Sequence, residues 1–224
     1  MIPFILNYMD KIELKIPPVQ VPKGSKNCQV GTTLMLLAFY NDPMSYEELV
    51  KALEPYMLEG GMHTQGPALF LVKRGYKTFF AHHDLGVLSP PIENCTEKDI
   101  ARIENHLSKI EKTDKNAYQI EKLNLDISFI KSGGMYSTKL SNLDMIDEYL
   151  QKGIPVALGV RYKGLHLFPS AGGANHSIII KGKENDEYLV NDPDIQTPSE
   201  YRISRDRLLH AWYNTGVQLT AVWK

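Results

Sequence analysis

Apolar positions along this chain follow two rhythms. Up to about residue 112 most of them recur at helical spacing, and from residue 142 onward they cluster in short runs suited to strands. Residues 29–40 form a dense apolar run with Met35, Leu36, Leu37, Phe39 and Tyr40, stopped by Asn41-Asp42-Pro43. Its length and its stop signal predict a buried helix. Ser45 and Glu48 form a capping-box pair, and the helix they open sets Leu49, Val50, Leu53 and Met57 on one face. Gly60-Gly61 break the chain; residues 67–74 then predict a short helix closed by Gly75, and residues 76–81 a strand. A loop with Pro90-Pro91 follows. Residues 96–112 predict a surface helix with Ile100, Ile103, Leu107 and Ile110 along one stripe.

Between residues 113 and 141 the pattern is weakest; 123–130 reads as a strand and Ser132-Gly133-Gly134 as a turn. Beyond it come a capped helix at 142–152, strands at 155–162, 176–181 and 187–191, a helix at 204–212 and a last strand at 217–223. Helices early and strands late predict an α+β fold. With no repeat, low-complexity segment or linker, residues 1–224 read as one domain with a mainly helical lobe (1–112) and a mainly strand lobe (142–224).

Charge narrows the partners. The 25 basic and 26 acidic residues leave a net charge of -1, so nothing draws the chain generally to nucleic acid or an anionic membrane. No apolar run is long enough to cross a bilayer, and the first residues lack the features of a signal peptide. Only Cys28 and Cys95 are present, which fits a cytoplasmic protein with free thiols better than a disulfide between them.

One constellation proposes a chemistry. Cys28 sits at the mouth of the helix predicted at 29–40, where exposed amides favour an anion. A free thiol has a pKa near ~8.5, and a nearby imidazolium lowers it further. His176, on a predicted strand, would supply that imidazolium, and Asp192, on the strand after it, would fix the ring. Asn191 is adjacent, but strand alternation sends it to the other face. An oxyanion would need donors, for which the Cys28 amide and the Gln20 side chain are candidates. His166 could line a cleft near His176 or lie in a loop. His63, His82, His83 and Cys95 match no zinc spacing and read as solvated loop residues, so no metal is expected. The glycines at 60, 61, 172 and 173 form no phosphate loop.

These residues resemble the papain-like superfamily, in particular the bacteriocin-leader-processing peptidases and their relatives. The likeness rests on Gln20, Cys28 and the apolar run 34–40, on His176-Ser-Ile-Ile-Ile-Lys-Gly182, and on Tyr188-Leu-Val-Asn-Asp192-Pro193. Residues 144–160 resemble the segment that precedes the family histidine, and 201–212 the closing helix. Gly60-Gly61, Gly66-Pro-Ala-Leu69 and Lys73-Arg-Gly-Tyr76 resemble a bacterial subgroup, some of it associated with ATP-grasp ligases. Two features depart from the family: Cys28 is followed by Gln-Val where Gly-Pro is usual, with Gly31 close by, and Gln20 lies eight residues ahead of Cys28, a longer spacing than the family's. Gln29 or a backbone amide could therefore take the place of Gln20.

The resemblance implies a papain-like fold and a Cys28–His176–Asp192 triad. It implies hydrolysis of an amide bond in a peptide or protein through an acyl-thioester, without a cofactor. Acyl transfer or glutamine deamidation would use the same three residues, and a non-catalytic peptide-binding module would keep the fold without turnover.

Overall fold

A computed structural model describes residues 11–25, 27–58, 61–83, 91–93, 95–166 and 174–224. Strand β1 (Lys11–Glu13) leads to helix α1 (Cys28–Phe39), whose residues from Val30 to Leu37 are all buried. Helix α2 (Tyr46–Leu53) opens on the expected capping box: the Ser45 hydroxyl accepts from the Glu48 amide and Glu48 accepts from the Ser45 amide. A short turn of helix (Glu54–Tyr56) then enters a small hairpin, β2 (Met57–Leu58) and β3 (Gly61–Met62). The chain continues through α3 (Gln65–Lys73), β4 (Lys77–Ala81), α4 (Glu97–Ser108), α5 (Asp114–Lys131), β5 (Met135–Ser137) and α6 (Leu143–Gln151). Strand β6 (Val156–Arg161), the short α7 (Tyr162–Leu165), β7 (Asn175–Glu184), β8 (Glu187–Asn191), β9 (Glu200–Ser204), α8 (Arg205–Tyr213) and β10 (Leu219–Trp223) complete it.

The main sheet runs β5-β4-β10-β6-β7-β8-β9, antiparallel except where β4 meets β5. Strand β7 is its longest. On one side β6 pairs with it from Arg161↔Asn175 to Val156↔Ile180, and β1 takes over at Gly182–Glu184. On the other side β8 pairs with it, with a bulge between Ile180 and Gly182. Asn185, at φ 53°, turns the β7–β8 hairpin, a conformation Asn tolerates. The register that follows, Ile179↔Asn191, brings residue 192 beside the start of β7.

Alternation along β7 serves two cores. Ile178 and Ile180 join Trp212, Leu208, Ile146 and Leu219 on one face, while Ile179 joins Met35, Leu37, Leu49 and Val222 under α1 and α2 on the other. A third core, built on Phe80, Phe129, Leu69 and Ile103, joins α3, α4 and α5 to β4.

Three expectations change. The strand expected at 123–130 is the second half of α5. Leu123, Leu125, Ile127 and Phe129 alternate as a strand would, yet Leu123, Asp126 and Ile127 also share a helix face. Packing on α3, with Tyr136 donating to Asp126 at 3.1 Å, stabilises the helix. The two-lobe division is also less clean than expected, because β4 and β5 from the earlier part of the chain extend the main sheet. Finally, residues 201–204, placed with the closing helix by resemblance, belong to β9 instead. Gly60, Pro90, Gly172 and Gly173 lie outside the described residues.

Candidate active site

Cys28 is the first residue of α1. No side chain caps this helix: the amide nitrogen of Asn27 donates instead to the Tyr46 hydroxyl at 2.7 Å. The first main-chain bond inside the helix runs from the Gly31 N–H to the Asn27 carbonyl at 3.1 Å. The N–H groups of Cys28, Gln29 and Val30 thus have no acceptor within the helix, and no acidic residue occupies its first turn. The positive end of the helix is therefore available to an anion.

Two contacts fix where this end lies. A Cβ on Gly31 would sit 2.5 Å from Pro193 Cβ and 2.9 Å from Val21 Cγ1, so only glycine lets α1 approach the turn after Asp192 so closely. One turn along the helix face, the Thr32 and Ser177 hydroxyls meet at 3.2 Å and align α1 with β7 just beyond His176.

The Asp192 side chain is fully buried and saturated. Its Oδ1 accepts from His176 Nε2 at 2.8 Å and from the Asp194 amide at 2.9 Å. Its Oδ2 accepts from the Tyr201 hydroxyl at 2.9 Å and from His166 Nε2 at 3.2 Å. An ionised carboxylate only accepts, so both imidazoles donate through Nε2. Burial opposes the charge on Asp192, but the hydrogen bonds from His166 and His176 outweigh it and hold the acid far below the usual carboxylate range. Burial likewise opposes a charged His176; hydrogen bonds to Asp192 and to the Cys28 sulfur prevail and push it up to about 10. With Nε2 on Asp192, Nδ1 is the ring nitrogen left for Cys28. The ring of Tyr162 meets that of His176 edge-on at 5.2 Å, and its hydroxyl donates to Asp194 at 2.7 Å.

Cys28 and His176 line one cleft of about 750 Å³, with Gln29, Met62, Thr64, Tyr162, Asp194 and Gln218 among its walls. Asn191, as alternation predicts, turns to the other face and donates to the Ile16 carbonyl at 2.9 Å. Gln20 is a correction. Its amide nitrogen donates to the carbonyls of Asp194 at 3.1 Å and Thr197 at 3.0 Å, so both of its hydrogens are spent and neither is left for an oxyanion. Gln29 does line the cleft, with its nitrogen 3.3 Å from the Met62 carbonyl.

His63 and His82 are also corrected: both are buried rather than solvated. His63 stacks on Tyr118 with ring centres 4.8 Å apart, and its Nε2 lies 3.2 Å from a Glu121 carboxylate oxygen. Cys95 stands apart from the cleft, and both cysteines are free. Burial, with the nearby Asp99 charge, pushes the Cys95 thiol up to about 11. His166 and Tyr201 are the residues that reading by motif placed least well: a histidine after Gly164-Leu165 and a tyrosine on an unforeseen strand carry no local signal of a shared carboxylate.

Residues 13–220 match the family model described as the Peptidase_C39 like family. The chain belongs to that family. Its fold is similar to that of a Bacillus anthracis protein described as a C39-like peptidase, at 12% identity and a TM-score of 0.54, covering 96% of this chain and 98% of that one. It is also similar to a double glycine motif protease from an AMS/PCAT transporter, solved with its leader peptide. There the identity is 11% and the TM-score 0.50, with 95% and 94% of the two chains covered. No curated protein matches the chain. Membership of the C39 like family and the shared α+β papain-like fold support a peptidase function. Among the described residues, no helix is long and apolar enough to cross a membrane.

Proposed function

We propose that this C39 like protein is a cysteine peptidase in which Cys28 is the nucleophile, His176 the acid and base, and Asp192 the group that orients His176. One observation carries the reading: the imidazole that shares the cleft with Cys28 is bonded to a buried carboxylate whose other acceptor positions are filled. His176 is thereby held in one orientation and one tautomer, and favoured as the cation.

The chemistry follows from those positions. The Cys28 thiolate attacks the scissile carbonyl carbon, and the carbonyl oxygen takes the electron pair. The first-turn amides of α1, which have no acceptor inside the helix, that of Cys28 foremost, face the developing oxyanion, while the Gln20 amide donates to the Asp194 and Thr197 carbonyls. His176 passes its Nδ1 proton to the departing amine nitrogen as the C–N bond breaks, leaving an acyl-thioester. Water then gives a proton to His176 and attacks the thioester, and the carboxylic acid leaves as the thiolate returns.

A peptide is the substrate this cleft suits, and the related transporter protease was solved with a peptide bound. The substrate would be a peptide or protein segment drawn extended through the cleft. The test is a defined peptide library incubated with the protein and read by mass spectrometry for new amino termini. The wild type is expected to produce them and Cys28→Ala to produce none. Equal silence from both would contradict a peptidase.

A further inference from the structure

Gln218 belongs to the cleft wall, yet no step above uses it. Its placement is heavily constrained. Gly216 and Val217 both adopt left-handed conformations, at φ 74° and 54°, just before it. A β-branched residue rarely adopts that conformation and keeps it only where its surroundings impose it. Val217 is buried, and the turn delivers Gln218 to the start of β10. The Gln218 carbonyl is then pinned by the Trp212 indole N–H at 2.8 Å and by the Gly159 amide at 3.3 Å.

The side chain is placed with equal care. It lies across β6 where Gly159 leaves room: a Cβ there would come within 2.6 Å of Gln218 Oε1. Oε1 accepts from the Thr64 hydroxyl at 2.9 Å. With the carbonyl end held, the amide nitrogen and its two hydrogens are the end left to a ligand. Thr64 follows directly on the β2–β3 hairpin, whose Met62 holds Gln29, the neighbour of Cys28. Gln218 is therefore tied to the hairpin side of the cleft that Cys28 and Asp194 also line. The Gln218 amide is an uncharged donor on that side of the cleft.

We propose, on the peptidase reading above, that Gln218 is a specificity-determining residue. Clamped by Thr64 over Gly159, its amide lines a substrate subsite in the cleft that holds Cys28. It selects a side chain that accepts a hydrogen bond, such as Asn, Gln, Asp or Glu, over an apolar one of the same shape. A donor covered by bound substrate and left unpaired by the wrong side chain supplies the discrimination.

The test uses peptidyl acyloxymethyl ketones, which alkylate Cys28 without a full turnover, on the whole chain. Inhibitor pairs differ only by Asn against Leu at each position before the ketone in turn, and rates of covalent labelling are read by mass spectrometry. Iodoacetamide labelling of each variant reports the thiol independently of the subsite, and thermal melts confirm folding. The wild type is expected to prefer Asn about tenfold at one position. Gln218→Leu should reverse that preference. Gln218→Glu, which keeps the shape and presents a carboxylate oxygen, should prefer a third inhibitor carrying Lys at that position, and Thr64→Val should weaken the Asn preference. An unchanged preference in folded, peptide-labelled Gln218 variants overturns the subsite and leaves the peptidase reading intact. Labelling of the wild type by iodoacetamide but by none of the peptide ketones overturns the peptidase reading and the subsite with it.

Discussion

The two ends of the site use the same side chain in opposite ways. At one end Gln20 turns its amide hydrogens to the carbonyls of Asp194 and Thr197, and so stitches the segment before α1 to the loop after Asp192. At the other end Gln218 has its oxygen held by Thr64 and leaves its amide hydrogens to the cleft. Position in a sequence motif pointed to the first; three-dimensional placement points to the second. A glutamine's function follows from which of its two ends the fold has already occupied, and sequence does not display that. The Gln20 end holds the geometry of Cys28, and the Gln218 end meets the substrate.

The largest expected effect lies at Gly31, beneath the Gln20 end. Gly31→Val would drive α1 away from Pro193 and Val21 and carry Cys28 out of line with His176. Activity, measured as kcat/KM on a cleaved peptide, should fall by about 100-fold or more. Overpacking should also cost about 1–3 kcal/mol of stability in a urea titration.

Next comes Asp192, which lies between the two ends. Asp192→Asn breaks a buried network and should cost about 3 kcal/mol in the same titration. The pH profile sharpens the assignment. The His176 pKa is raised from 6.5 to about 10, so its ion pair contributes fully below 6.5 and is lost as pH rises through about 10. The alkaline limb of activity should therefore fall near pH 10 in the wild type and move to lower pH in Asp192→Asn. An alkaline limb that does not move would break the link between Asp192 and His176.

The smallest effect is expected at Gln20 itself. Gln20→Ala removes two hydrogen bonds to carbonyls and should cost about 1–2 kcal/mol of stability. Its kcat should stay within about tenfold of the wild type. Loss of an oxyanion donor costs on the order of 100- to 1,000-fold, so a fall of that size would return Gln20 to the chemistry and collapse the contrast between the two ends.

Much of this was legible in the chain. The capping box at Ser45, the buried run that became α1, and the strands carrying His176 and leading to Asp192 all have local signals, and alternation separated Asn191 from Asp192. What escaped was non-local. The alternating residues of 123–130 satisfy a strand and a helix alike, and only contact with α3 decides between them. Strands β1, β5 and β9 are short and acquire meaning from their partners. His166 and Tyr201 matter because they fill Asp192 Oδ2, a relation spread over 36 residues of chain. Gly31 was visible as a residue near Cys28, but its necessity appears only once Pro193 is set against it.

The central claim is that Cys28 and His176 form an ion pair. The most direct measurement is the pH dependence of Cys28 alkylation by iodoacetamide, in a Cys95→Ala background, with and without His176→Ala. Alkylation of Cys28 is expected to be fast at neutral pH and to slow sharply when His176 is removed. Equal alkylation rates with and without His176 would contradict it.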